Sequence, residues 1–228
     1  MVVDPRFRGP QASGNGGYTC GLVAAFVGDP AEVTLRLPPP LGRPLRVDAE
    51  DGRVDVYDGD ALVAEARRVQ LELETPGPVG FAAAAEAAAH YPGFERHAFP
   101  TCFVCGPERL PGDGLRIFAS PLPGAELVAA PWVPAPDLAS ADGAVRPEFV
   151  WAALDCPGAF AVGFSERGEI VLGRLAVQVE RLPRTGERCV VVGWRLGEEG
   201  RKLYAGTALF SDQGERYAVG RATWIEPR

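Results

Sequence analysis

The same order of elements occurs in both halves of this sequence: a helix candidate followed by four strand-like runs. The two helix candidates begin near Asn15 and near Arg146. After the first candidate, the strand-like runs are 32–37, 44–50, 53–58 and 61–75. After the second, they are 170–182, 187–196, 201–211 and 215–226, and turn residues separate the neighbouring runs. The repeated order predicts an internal duplication of a helix-plus-antiparallel-sheet unit.

A gapless overlay of the two halves supports this prediction. Val33 falls on Val177, and Gly42 falls on Gly186. Between the halves, the alanine-rich stretch 81–89 is bounded by Gly and Pro and predicts a helix. The chain is therefore divided into three parts: an N-terminal unit at 1–75, a helical linker at 76–97 and a C-terminal unit at 98–228.

Two details of the strand pattern extend the prediction. The run 61–75 alternates apolar and polar residues through Val69, Leu71 and Leu73, so the strand is expected to continue to its end. Two further strand-like segments precede the second helix candidate, at 114–118 and 127–133.

Composition excludes several classes of function. The formal net charge of -7 argues against a nucleic-acid or anionic-membrane partner, because phosphate binding requires clustered positive charge. No apolar run approaches the roughly 18 residues that span a bilayer, and the first residues lack the apolar core of a signal peptide. Five cysteines, an odd number, indicate reduced thiols rather than a disulfide framework. A cytoplasmic protein is expected.

The two helix candidates begin with complementary motifs. The first opens with Asn15-Gly16-Gly17 and has Ala24 nine residues after Asn15. The second opens with Arg146-Pro147-Glu148 and has Asp155 nine residues after Arg146. One motif has glycines and no acid, and the other has an acid and no glycines. If the two helices meet, one complete site is formed from two incomplete ones.

Asp155 is a candidate catalytic acid because of its surroundings in the sequence. An ionised carboxylate buried in this apolar stretch without partners would cost several kcal/mol. Pro157 has no N–H, so it frees the carbonyl of Ala153 and is expected to kink the helix near the acid. The alternative is that Asp155 caps the piece of helix that begins at Pro157, or that it faces solvent.

These motifs resemble those of the hotdog-fold thioesterases in their double-hotdog form. The resemblance rests on Asn15-Gly-Gly-Tyr and on Leu154-Asp-Cys-Pro-Gly158, since such enzymes carry an acid nine residues after a His-Gly-Gly-like helix start. A second similarity is Cys102-Phe-Val-Cys105-Gly106 followed by Gly114-Leu-Arg-Ile-Phe118. Asn15 stands where the family motif has histidine. The resemblance implies an α+β double hotdog, in which two long helices are wrapped by one continuous antiparallel sheet.

The activity that the resemblance implies is hydrolysis of acyl-CoA or acyl-carrier thioesters at one composite site. Asp155 would be a general base or a nucleophile, and Asn15 would hold the carbonyl or the water. The amide of Gly16 or Gly17 would stabilise the oxyanion, although the glycines alone equally suit a flexible turn. The alternatives are an acyl or acyl-CoA binding protein without catalysis, or a partner-binding or structural protein. A homo-oligomer, as a dimer of double hotdogs, stays open.

A metal site before the second helix candidate is disfavoured. His90, His97, Cys102 and Cys105 combine soft ligands with a Cys-x-x-Cys spacing that suits zinc, but the histidine spacing fits no common zinc module. Reduced thiols are the favoured interpretation, so no metal and no cofactor are predicted. The two histidines lie in the linker region, away from both helix candidates, which disfavours a hotdog dehydratase.

Overall fold

The computed structural model describes residues 1–227 and contains one sheet of ten antiparallel strands. The strands are β1 Ala31–Leu35, β2 Arg46–Glu50, β3 Arg53–Asp58, β4 Ala61–Arg68, β5 Ser120–Pro121, β6 Leu127–Trp132, β7 Val171–Val179, β8 Cys189–Glu199, β9 Lys202–Ser211 and β10 Arg216–Ile225. The α-helices are α1 Gly16–Ala24, α2 Phe81–Ala88, α3 Pro147–Ala153, α4 Cys156–Ala161 and α5 Phe164–Arg167. Single 3₁₀ turns lie at Pro5–Phe7, Pro92–Phe94 and Pro136–Leu138.

The order of strands across the sheet is symmetric about the β1–β7 pair. It runs β2-β3-β4-β1-β7-β10-β9-β8, and β6 and β5 extend it beyond β8. At the centre, Ala31 pairs with Val177 and Val33 with Leu175. The first strands of the two halves are therefore direct neighbours, and the other strands follow outward in matching order. All eight strands expected from the repeated pattern are present.

The two helix candidates pack against each other on one face of the sheet. Helix α1 contacts α3 as well as β1 and β7. Glycines on α1 allow the close approach. A Cβ at Gly21 would lie 2.6 Å from the Cα of Glu148, and a Cβ at Gly17 would lie 2.7 Å from the carbonyl oxygen of Trp151. Small residues on α1 thus set the distance between the two helices.

The opposite face of the sheet is covered by α2 and the segment before it. Along β8, Val191 belongs to the core around α1 and α3, whereas Val190 and Val192 belong to a second core with Ala84 of α2. This alternation is that of a strand buried on both faces. The predicted alanine-rich helix is confirmed as α2. Within residues 1–227, the helices are all too short or too polar to cross a membrane.

Two strand predictions differ from the structure: the run 61–75 is confirmed only as far as Arg68, and the predicted strand 114–118 is wrong. The run 61–75 leaves the sheet after Arg68. Arg68 pairs with Ala31, which is the first residue of β1, so residues after Arg68 have no β1 residue left to pair with. Leu71 is nevertheless buried, because the segment packs against the second core. Residues 114–118 form no strand; instead, the amide of Leu115 donates to the carbonyl of Phe103 over 2.8 Å. Alternating apolar residues are thus buried here without forming a ladder.

Candidate active site

Asp155 lies at a break between two helices. Helix α3 ends at Ala153 and α4 begins at Cys156, while Asp155 itself has φ -77° and ψ -80°. Pro157, the second residue of α4, cannot donate a backbone hydrogen bond, so the helix cannot continue through this point. The expected kink is confirmed, and it turns the Asp155 side chain toward the start of α1.

The Asp155 carboxylate is held by the start of α1. Its Oδ2 accepts from Asn15 Nδ2 over 2.8 Å and from the amide of Gly17 over 3.0 Å. Asn15 is the N-cap of α1, and its Oδ1 accepts from the amide of Tyr18 over 2.9 Å. Both polar ends of Asn15 are thus engaged, which fixes the orientation of its amide. The three residues that the two sequence motifs supplied are in direct contact.

Asp155 is the N-cap residue of α4 by position, but neither form of the alternative interpretation, a capping side chain or a solvent-facing one, is borne out. The residue is 2% exposed, and its side chain makes no capping hydrogen bond to α4. Burial raises the pKa of Asp155 to about 7, although the hydrogen bond from the Gly17 amide acts in the opposite direction. The charge of Cys102 raises this pKa further, and the hydrogen bond from Asn15 lowers it. The Asp155 side chain is therefore almost completely excluded from solvent.

One oxygen of this carboxyl group has no protein partner. Within residues 1–227, Asp155 Oδ1 is buried and accepts no hydrogen bond. A buried acceptor without a hydrogen bond lowers the free energy of unfolding by about 1–3 kcal/mol. Such an atom is rare in folded proteins and often indicates a functional role. Oδ2 orients the group, and Oδ1 is the oxygen that the described residues leave without a hydrogen bond.

Asp155 lines a cavity of about 560 Å³. Its polar lining includes Asn15 and the backbone of Gly16. Its walls are mostly apolar. They come from the end of β1 and the segment after it, from the segment before Cys102, from α4 and α5, from β7 and the residue before it, and from β10: Leu35, Leu37, Phe99, Ala159, Phe160, Phe164, Ile170, Leu172 and Trp224. A mostly apolar pocket with a few polar groups at one place suits a ligand with an apolar body and one reactive polar group.

The two glycines at the start of α1 have different roles. The amide of Gly17 is already used by Asp155, and a Cβ at this position would lie 2.5 Å from the Cβ of Asp155. Gly17 is therefore required for the contact between the helices. Gly16 lines the cavity, and within residues 1–227 its amide donates to no acceptor. Of the two amides expected to hold an oxyanion, only that of Gly16 is free.

The matching positions in the other half lack these groups. Pro147 follows Arg146 as Gly16 follows Asn15, and a proline has no N–H to donate. Ala24 stands at the position that corresponds to Asp155 and is buried. The pseudo-symmetry of the sheet is thus not matched by the chemistry of the two helix starts.

A group of cysteines lies beside the carboxylate. The sulfurs of Cys102, Cys105 and Cys156 all lie within 4.8 Å of one another, and that of Cys102 lies 3.8 Å from Asn15 Nδ2. His97 Nε2 lies 3.3 Å from the Cys105 sulfur. The grouping considered from the sequence was wrong in one member, because His90 is exposed at the end of α2 and does not take part.

Two residues near the cavity were missed by sequence analysis. Cys156 was considered only as a member of the motif 154–158 and not as a partner of Cys102. The two cysteines are 54 positions apart, so no local spacing connects them. Trp224 on β10 lines the cavity with a buried Nε1 that has no partner within residues 1–227. No local pattern marks either residue, since both are placed by the sheet and by the helix break.

Comparison with solved structures establishes the fold. The TesB protein of Mycobacterium avium subspecies paratuberculosis matches with a TM-score of 0.60 and 13% identity, covering 94% of this chain and 88% of that one. A Novosphingobium aromaticivorans protein with a provisional thioesterase name matches with a TM-score of 0.60 and 15% identity, covering 100% of this chain and 94% of that one. The protein is a double hotdog, as predicted. No protein-family model and no curated protein sequence matches the chain.

Proposed function

We propose that this protein hydrolyses acyl thioesters of the coenzyme A type in the cavity that Asp155 lines. The observation that carries the proposal is the asymmetry of the carboxylate. Oδ2 is held by two donors, whereas Oδ1 is buried and has no hydrogen-bond partner among residues 1–227. A carboxylate oriented through one oxygen and free at the other is suited to take a proton from water or to attack a carbonyl carbon.

Two routes use the same atoms. In the general-base route, Oδ1 takes a proton from water, and the hydroxide attacks the thioester carbonyl carbon. The carbonyl oxygen becomes an oxyanion that accepts from the Gly16 amide. The C–S bond then breaks, and the thiolate takes the proton from Asp155. In the nucleophilic route, Oδ1 attacks the carbonyl carbon and the thiolate leaves. Water then hydrolyses the resulting anhydride to free acid and Asp155 carboxylate, and the remaining proton of the water goes to the thiolate.

The cavity and the known structures support this choice of substrate. The apolar walls match an acyl chain, and the polar groups at Asn15, Gly16 and Asp155 match a thioester carbonyl. The names of the two similar proteins, TesB and a thioesterase, point to the same chemistry. We place one site in each chain, because Pro147 and Ala24 supply neither the amide nor the acid in the other half.

The test is thiol release from a panel of acyl-CoA substrates of increasing chain length, with wild type and Asp155→Asn. An Asp60→Asn variant, in an exposed turn away from the cavity, is the matched control. We expect turnover with at least one substrate in the wild type and the control, and a loss of about 10²–10⁴-fold in kcat for Asp155→Asn, the usual contribution of a general base. Equal rates in all three proteins would refute the assignment.

The non-catalytic alternative has a separate readout. A ligand at 100 times its Kd stabilises a protein by about 2.7 kcal/mol, so each acyl-CoA is also tested for its effect on Tm. A rise in Tm with no thiol release in the wild type would favour an acyl-CoA binding protein over an enzyme.

The two routes can be separated by isotope labelling. In a single turnover in ¹⁸O water, the general-base route places ¹⁸O in the released acid and leaves Asp155 unlabelled. The nucleophilic route transfers a protein oxygen to the first acid released and leaves ¹⁸O on Asp155 when water attacks the Asp155 side of the anhydride. Mass spectrometry that finds ¹⁸O in the peptide containing Asp155 therefore identifies the nucleophilic route with attack at Asp155.

A further inference from the structure

We propose that the sulfurs of Cys102, Cys105 and Cys156 bind one zinc-type divalent cation beside the cavity. Zinc–sulfur bonds of about 2.3 Å in a tetrahedral site place the sulfurs about 3.8 Å apart. The Cys102 and Cys156 sulfurs are 3.8 Å apart, and all three lie within 4.8 Å of one another. Small side-chain rotations thus bring the set to the geometry that the cation requires.

The first two ligands lie on a turn that is already formed. The amide of Gly106 donates to the carbonyl of Cys102 over 2.9 Å and closes the turn. A Cβ at Gly106 would lie 2.5 Å from both the Cys102 amide nitrogen and the Pro100 carbonyl oxygen, so only glycine fits there. This Cys-x-x-Cys-Gly turn has the ligand spacing of many structural zinc sites.

The surroundings of this turn make it rigid. The amide of Phe103 donates to the carbonyl of Arg8, and the amide of Ile117 donates to the carbonyl of Val104, each within 2.9 Å. The segment 114–118, which was expected to be a strand, is thus used to hold the turn in place. Two ligands are positioned by this turn, and the third, Cys156, is positioned by the helix break next to Asp155.

His97 supports the site and is not counted among the ligands. Its Nδ1 accepts from the amide of Phe99 over 2.9 Å, so in the neutral ring the proton is on Nε2. Nε2 lies 3.3 Å from the Cys105 sulfur and donates to it. A donor of this kind stabilises a metal-bound thiolate and orients it.

The fourth position is open to the cavity. All three cysteines line the cavity as well as facing one another, which provides an access path for the ion and room for a water molecule. Three thiolates in the same buried place would repel one another unless a cation neutralised them. The bound ion would connect the turn from Cys102 to Gly106 to the first turn of α4, and so fix Cys156 beside Asp155.

The test is the metal content of the full-length protein, which requires no substrate and is independent of the proposed hydrolysis. We expect about one zinc per chain after purification in zinc-containing buffer. Cobalt(II) added to chelator-treated protein should give the intense visible bands and the sulfur-to-metal charge-transfer band of a tetrahedral thiolate site. X-ray absorption should find three sulfur neighbours and one lighter atom.

Cysteine variants locate the ligands. Cys102→Ser, Cys105→Ser and Cys156→Ser should each lower the zinc content at least tenfold. The controls are Cys20→Ala and Cys189→Ala, which change buried cysteines outside the group and should keep the metal. Circular dichroism identifies variants that fail to fold, and for these the cobalt titration of the wild type decides.

Three outcomes would overturn the proposal. The first is folded, fully reduced wild-type protein that takes up neither zinc nor cobalt. The second is a Cys156→Ser variant that retains the full metal content. The third is a Cys102–Cys156 disulfide, found by mass spectrometry of protein purified without reductant, that forms in place of metal binding.

Discussion

The amide nitrogen of Gly17 lies 3.0 Å from Asp155 Oδ2, although the two residues are 138 positions apart in the chain. This contact joins the start of α1 to the break between α3 and α4. It also explains why position 17 is glycine, since a Cβ there would lie 2.5 Å from the Cβ of Asp155. The packing of the two helices and the geometry of the carboxylate therefore depend on the same residue.

Gly17→Ala should destabilise the protein and abolish its activity together. The added Cβ would meet the Asp155 Cβ and the Trp151 carbonyl oxygen, and neither can move without separating the helices. Overpacking of this kind costs about 1–3 kcal/mol, which chemical denaturation measures. Gly77→Ala, where a Cβ meets nothing within 4 Å, is the control and should change stability by less than about 1 kcal/mol. A Gly17→Ala variant as stable as the wild type would contradict the structure.

Gly16→Pro and Gly16→Ala together test the oxyanion donor. Both add a Cβ that meets Leu172, but only proline removes the N–H. Proline is well suited to the first position of a helix, and the φ of -59° and ψ of 134° at Asn15 are compatible with a following proline. We expect kcat for Gly16→Pro to lie about 10²–10³-fold below that of Gly16→Ala. Equal rates would remove Gly16 from the mechanism.

Asn15→Ser and Asn15→Ala should separate the structural and positioning roles of Asn15. Serine can still cap α1, whereas alanine loses the cap, which costs about 1 kcal/mol. Neither variant keeps the amide that donates to Asp155 Oδ2. Denaturation should therefore distinguish the two variants, while the acyl-CoA assay should show a similar loss in both. Wild-type activity in the serine variant would mean that the Gly17 amide alone orients the carboxylate.

Ala159→Leu should restrict the length of acyl chain that the protein accepts. Ala159 is a buried cavity wall on α4, and a larger side chain there takes up space within the apolar lining. We expect kcat/KM to fall for the longest substrates of the panel and to change little for the shortest. A uniform fall across all chain lengths would indicate that the acyl chain lies elsewhere.

The strands were predictable where local signals sufficed. Asp51-Gly52 and Asp58-Gly59 identify two hairpin turns, and both are present, with positive φ at Gly52 and Gly59. The segments 69–75 and 114–118 were predicted wrongly because a strand requires a partner as well as an alternating pattern. Whether a partner is within reach depends on where neighbouring strands end, which local sequence does not encode.

The sequence was enough to select the residues of the candidate site, but it was not enough to predict the contacts among them. The spacing of nine residues and the family resemblance were enough to select Asn15, Gly16, Gly17 and Asp155. They did not reveal that Asp155 occupies the Gly17 amide or that Asp155 Oδ1 stays unpaired. Such facts depend on how closely two distant helices approach, and that distance is set by packing.

By itself, the sequence determined the repeated order of helix and strands, the glycines at one helix start and the acid at the other. These are local properties, because turn chemistry, periodicity and a missing proline N–H act over a few residues. Only the tertiary structure decided that the two helix starts meet, which of the two glycine amides Asp155 occupies, and that Cys156 joins Cys102 and Cys105. These relationships arise when the sheet closes around the helices and brings distant residues to within bonding distance.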